Sequence, residues 1–188
     1  MHDASILWRR FDMEGHDGCR LLAREDGWDL EGQAVFEYGG EPCCLAYRVS
    51  CDGGWLTHTA SVHGFLGARG IGYDIERLAD GTWTLNGVAQ PQAEGLIDVD
   101  LNFTPATNLV AIRRFELAVG AETQAPAAWL AFPEFKLMRL DQIYRRLDST
   151  HYAYQSPMHG YAATLEVSPA GFVLDYPQLW KAVVLQPD

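Results

Sequence analysis

Apolar residues in this chain recur with a period of two, in short runs separated by turn residues. That alternation is what most limits the possible folds. Cys43 to Cys51 shows it: Cys43, Leu45, Tyr47, Val49 and Cys51 fall on one side, and Cys44, Ala46, Arg48 and Ser50 on the other. Side chains of an extended strand alternate between its faces, so this pattern predicts a strand with one buried face. Trp55 to His63 continues it after Asp52-Gly53-Gly54, which reads as a hairpin turn with glycine supplying a positive φ. Tyr73, Ile75 and Arg77 precede a turn at Ala79-Asp80-Gly81. Trp83 and Leu85 precede another at Asn86-Gly87, and Ile97, Val99 and Leu101 alternate with Asp98, Asp100 and Asn102. Trp129 to Leu140 reads as extended with a break at Pro133, and Ile143 to Ser156 as extended throughout. Thr164 to Val167 is expected to pair with Phe172 to Asp175 across Ser168-Pro169-Ala170-Gly171. This is the grammar of an antiparallel meander.

One segment departs from it. Thr104-Pro105 has the form of an N-cap followed by proline at the first helical position. Leu109, Ile112 and Leu117, with Val110 and Phe115, then recur near helical spacing. A helix is predicted over about 105–119. A lone apolar helix among many strands is expected to cover the concave face of a curved sheet, because a sheet must bury one face.

The 188 residues are expected to form a single domain, 1–188. A net charge of −11, from 14 basic and 25 acidic residues, leaves no cationic face for nucleic acid or for an anionic membrane surface. No apolar run approaches the roughly 20 residues of a membrane span. The first eighteen residues carry Asp3, Arg9, Arg10 and Asp12 and do not read as a signal peptide. A cytoplasmic protein with reduced thiols is therefore expected. Cys19, Cys43, Cys44 and Cys51 lack the paired C-x₂₋₄-C hooks of a structural zinc site and read as packed thiols, so no metal and no cofactor are called.

No catalytic motif is present: there is no Walker A sequence, no H-E-x-x-H and no G-x-S-x-G, and Gly67, Gly70 and Gly72 do not have dinucleotide-binding spacing. His58 and His63, an odd number apart, would point to opposite strand faces and could not share a metal without a bulge. Asp98 and Asp100 share a face roughly 7 Å apart along the strand. Two carboxylates so placed could work as acid and base or hold a cation, although a solvated outer face is the simpler reading. Tyr144 to Trp180 is dense in tyrosine and arginine and reads as three short strands. In it Tyr152 and Tyr154 share a face, and an arginine near such rings can hold a phosphate or sugar acid.

Taken in order, Asp98-Val99-Asp100-Leu101, Phe103-Thr104-Pro105-Ala106-Thr107-Asn108, Ile112-Arg113-Arg114, Ala125 to Leu130 with Phe132-Pro133, Tyr144 with Arg146-Leu147-Asp148, Tyr152, Tyr154 and Ser156, and Asp175-Tyr176-Pro177 with Leu179-Trp180 resemble the putative glycolipid-binding family of bacterial proteins. The resemblance runs from about Arg20 to Val183. It implies a mainly β fold, a spiral β-roll whose long antiparallel sheet wraps a single α-helix, usually as a homodimer. It carries no catalytic residues. The expected function is a non-enzymatic protein that holds a glycolipid or other amphiphile between sheet and helix, with Arg114, Trp129, Tyr144, Arg146, Tyr152 and Tyr154 as ligand-binding candidates. The alternatives are a small-molecule enzyme using Asp98 or Asp100 with a histidine, and a ligand-free dimeric scaffold.

Overall fold

The computed structural model describes residues 3–186. Its dominant element is one antiparallel sheet of fourteen strands. Six long strands make its first half: β1 (Ala4–Arg10), β2 (Gly15–Arg24), β3 (Gly27–Tyr38), β4 (Glu41–Asp52), β5 (Thr57–Leu66) and β6 (Arg69–Arg77), ending in the short β7 (Trp83–Leu85) and β8 (Val88–Ala89). The chain then leaves the sheet through β9 (Asp98–Leu101) and α1 (Asn108–Phe115), touches the sheet's far edge in β10 (Glu122–Gln124), and continues away from it through β11 (Ala127–Ala131) and β12 (Lys136–Leu140). It returns through β13 (Ile143–Arg146), β14 (His151–Ser156), β15 (Tyr161–Val167), β16 (Val173–Tyr176) and β17 (Trp180–Gln186). The order is β10-β13-β14-β15-β16-β17-β1-β2-β3-β4-β5-β6-β7-β8, so the last strand closes on the first and the two ends stay open. The sheet curls but does not close into a barrel.

Curling leaves a concave face to fill. The helix does this together with a second sheet of three strands, β12-β11-β9, in which β9 runs parallel to β11. One core cluster joins Trp8, Leu21, Leu45 and Val62 of the large sheet to Val99, Leu101, Leu130 and Leu137 of the small one and to Phe103, Leu109 and Val110 around the helix. Burial alternates along β4 as its sequence predicts, with Cys43, Leu45, Tyr47, Val49 and Cys51 inside. The four cysteines are free thiols. No helix among the described residues is long and apolar enough to cross a membrane.

Several local expectations need correction. The helix covers 108–115 rather than 105–119. Thr104 does not cap the helix itself: its hydroxyl accepts from the Ala106 amide at 3.0 Å in the turn before it while donating to Asp17 in the core, and Thr107 stands at the cap position. Residues 105–110 enter through three-residue turns, Asn108 N–H to Pro105 O and Leu109 N–H to Ala106 O, and a left-handed Glu116 (φ 42°) ends the helix. In the Asp52 turn the positive φ falls on Trp55 (66°) and not on a glycine. The Asp52 carboxylate accepts from the Gly54 and Leu56 amides (2.8 and 2.9 Å), and the Trp55 ring stacks on Trp28 at 5.1 Å. Ile143 to Ser156 is a hairpin and not a single run, since Asp148 Oδ1 accepts from the Thr150 and His151 amides (2.8 Å each) and folds the chain back. Tyr144 to Trp180 accordingly holds all but the first residue of one strand, three complete strands and the first residue of a fifth.

A buried polar knot ties the layers together. The Tyr47 hydroxyl (β4) donates to Asp17 Oδ2 (β2) at 2.9 Å, and the Thr104 hydroxyl donates to the same oxygen from the turn before α1. Gly32 on β3 makes room for it, because a Cβ there would overlap the Tyr47 phenol. Gly32→Ala is expected to cost about 1–3 kcal/mol by overpacking, read as a lower midpoint of urea unfolding with an unchanged slope.

Candidate functional site

A cleft of about 270 Å³ opens where the returning strands meet the inner layer. Its walls are aromatic: Trp129 from β11, Tyr154 from β14, Tyr161 from β15, Tyr176 from β16 and Trp180 from β17. Asp100 of β9, Asn102, Thr104, Asn108 of α1, Ser156 and His159 supply the polar lining. The tyrosines form a contact set, with Tyr154 at 5.0 Å from Tyr144, 5.6 Å from Tyr176 and 6.2 Å from Tyr161, ring centre to ring centre. Tyr161 donates to the Pro177 carbonyl at 2.7 Å, which fixes its ring. Ser156 Oγ and His159 Nδ1 lie 2.9 Å apart, and the His159 ring meets Trp129 edge to face at 5.2 Å. The Trp129 indole N–H is buried and has no hydrogen-bond partner among the described residues. An unpaired buried donor of this kind costs on the order of 1–3 kcal/mol.

Asp98 and Asp100 do not form a solvated outer face. Their strand lies in the inner sheet, so protein covers both of its faces. Asp98 is 2% exposed and takes a bidentate ion pair from Arg114, Nε to Oδ1 at 2.7 Å and Nη2 to Oδ2 at 2.8 Å. Burial pushes its carboxyl up, and the guanidinium pulls it back. Asp100 has no such partner. It stays open to solvent through the cleft while protein packs all around it, and burial raises its pKa to about 7 against one opposing bond from Gln142 Nε2 at 3.4 Å. A chain of donors runs to it from behind: Asn108 Nδ2 to the Tyr144 hydroxyl (2.6 Å), that hydroxyl to Gln142 Oε1 (3.1 Å), and Gln142 to Asp100. Burial likewise raises the phenols of Tyr144, Tyr154 and Tyr176, leaving them neutral.

The six ligand-binding candidates fall in different places. Trp129 and Tyr154 line the cleft. Tyr144 is buried directly behind it, bonded to Asn108. Arg146 and Tyr152 sit in a separate pocket of about 160 Å³ with Arg113, Glu116 and Ser168. There Arg146 is engaged by chain carbonyls, Nη1 to Leu117 O at 2.8 Å and Nε to Asp148 O at 3.0 Å. Arg114 belongs to the Asp98 pair, with its guanidinium 3.9 Å from the centre of the Phe115 ring. His58 and His63 both project from the outer face of β5, where a register shift at Cys51 breaks the strand parity, and each faces a different carboxylate: Asp52 at 3.7 Å and Asp74 at 3.5 Å. Neither meets Asp98 or Asp100. The histidine in the cleft is His159. It lies on a short turn after β14, outside the strand pattern that singled out its neighbours.

An open, curled antiparallel sheet packed over a helix and a small inner sheet, with a cleft at their junction, defines the β-roll class. The comparisons narrow this further. The profile described as putative glycolipid-binding matches residues 5–182, and the chain belongs to that family. A crystal structure of a DUF1089 family protein from Pseudomonas aeruginosa superposes with a TM-score of 0.77 at 30% identity, over 88% of this chain and 91% of that one. No curated protein shows significant similarity to the chain.

Asp17 and Asp100 give the fold a pH dependence. Burial also dominates at Asp17, whose pKa rises to about 6 despite its bonds from Thr104 and Tyr47. Both values lie above the ordinary carboxylate value of about 3.9. The stability each contributes is therefore fully present below that pH, and is lost as pH rises through about 6 for Asp17 and about 7 for Asp100. Asp100→Asn should flatten the decline on the alkaline side and raise the melting temperature above pH 7, measured by calorimetry from pH 4 to pH 8. An unchanged difference from wild type across that range would refute the assignment.

Proposed function

We propose that the chain binds the polar head of an amphiphile, a glycolipid or lipid-linked metabolite, in this cleft and does not transform it. The cleft itself carries the reading: a recess of about 270 Å³ with aromatic walls, neutral phenols and one carboxyl at its floor. Its volume lies just under the range of roughly 300–1,000 Å³ typical of sites that enclose a drug-sized ligand. It suits a head group, with the acyl chains left outside. Aromatic faces with a few fixed polar groups suit a ring-bearing polyol. The unpaired Trp129 N–H calls for an oxygen acceptor from the ligand. The family's description as glycolipid-binding supports the same reading.

On this reading Trp129, Tyr154 and Trp180 contact the head group, Tyr144 holds Asn108 in place, and Arg114, Arg146 and Tyr152 support the scaffold. A cytoplasmic homodimer belongs to the proposal, with the exposed cross-strand pair Leu7 and Val184 as a candidate face. A monomeric mass by light scattering would remove the dimer. A second reading, an enzyme acting on the same ligand, draws on the Ser156–His159 contact beside Asp100. Proton NMR of the protein incubated with octyl glucoside separates the two: the ligand should remain chemically unchanged.

Octyl glucoside should quench or shift the tryptophan fluorescence in a saturable way, and Trp129→Ala should weaken its binding by about tenfold or more. Native mass spectrometry and solvent extraction of the purified protein should recover an amphiphile. If no ligand is recovered and no saturable response appears, the proposal fails.

A further inference from the structure

The Asp100 carboxyl has no cation to answer it. None of the described residues that line the cleft is lysine or arginine. Arg114 of α1 pairs instead with Asp98, two strand positions from Asp100, through its Nε and Nη2. The groups facing Asp100 are Gln142, bonded at 3.4 Å, and the phenols of Tyr144, Tyr154 and Tyr176, with His159 further along the lining. A desolvated carboxylate without a partner is expensive. Here it adjoins several aromatic rings, whose negative faces attract a cation, most strongly when it is desolvated. The field of the whole chain, with a net charge of −11, raises the local concentration of cations as well.

The geometry points to a ligand that carries a protonated amine: the cleft takes an ammonium-bearing head group, with its nitrogen on Asp100 and its carbon skeleton against Tyr154, Tyr176 and Trp129. This rests on the reading of the cleft as a head-group site and narrows it to a chemical class. A neutral sugar can occupy the same space, but it leaves Asp100 either protonated or uncompensated. An ammonium restores a counter-charge in a site where a charge-assisted hydrogen bond is worth roughly twice a neutral one. The amine could belong to a free amino sugar or to the head of a lipid, and the shared chemistry does not separate the two.

Four ligands test it at neutral pH by isothermal titration: methyl glucoside, methyl glucosaminide and their n-octyl counterparts, the octyl compounds kept below their micelle concentrations. Each glucosaminide should bind about tenfold or more tightly than its glucoside. Asp100→Asn should abolish that preference, so that each glucosaminide binds no more tightly than its glucoside, and a cooperative melt of the variant confirms that it is folded. A gain from methyl to octyl assigns the amine to an amphiphile; equal affinity of methyl and octyl glucosaminide assigns it to a free sugar. If glucosides and glucosaminides bind equally, or the preference survives in Asp100→Asn, the ammonium assignment is overturned and the head-group reading stands. If none of the four binds, both are overturned.

Discussion

A fourteen-stranded sheet that curls without closing has a long inner face to keep from water, and an eight-residue helix is too short to cover it. The rest of the architecture follows from that shortage. The chain leaves the sheet after β8 and lays β9, β11 and β12 beside the helix as a second, inner layer, with only β10 between them on the outer sheet's edge, before continuing the outer sheet at β13. The layers are held in register by a few polar contacts placed deep inside. Asp17, Tyr47 and Thr104 fix the turn before the helix to β2 and β4, and the Asp98–Arg114 pair fixes the helix to β9. All of these groups but the half-buried Arg114 are buried, and each is answered by another, which is the condition for tolerating polar atoms in a core.

The outer sheet was legible because its two faces meet different surroundings. Cys43 to Cys51 alternates because one side packs and the other is wet, and Asn86-Gly87 forms a turn because both residues accept positive φ (50° and 76°). The inner layer was not legible, because its pattern has the same form for a different reason. Asp98 and Asp100 resemble the wet side of a strand. Their partners, Arg114 and Gln142, stand 16 and 42 residues away, and nothing local announces them. The helix start failed in the same manner. Thr104 makes the local bond a cap would make, accepting from the Ala106 amide, but its hydroxyl also donates to Asp17, 87 residues earlier, and the helix begins only at Asn108.

The cleft was half visible. Trp129 and Tyr154 stood out by residue type, and Tyr176 and Trp180 lay in the ordered motifs that mark the family. Asn108 and Ser156 lay in those motifs too, at the ends of their elements, whereas His159 sits on a short turn, where alternation carries no information. The arginines misled for a physical reason: guanidinium groups are also the usual means of neutralising a buried carboxylate or of tying down loop carbonyls. Arg114 does the first and Arg146 the second.

The pairing of β17 with β1 bears on how the molecule is made. These strands come from opposite ends of the described chain, with Ser5 beside Gln186 and Arg10 beside Trp180. On a ribosome β1 emerges before β17, and its outer edge then waits until β2 to β16 have been synthesised. Contacts so far apart in sequence slow the final step of folding, and an unpaired edge invites pairing with other chains in the interval. The sheet's first half, β1 to β8, is a continuous run of sequential hairpins that can assemble as it appears. What remains is a race between the return of β17 and any foreign strand that reaches β1 first.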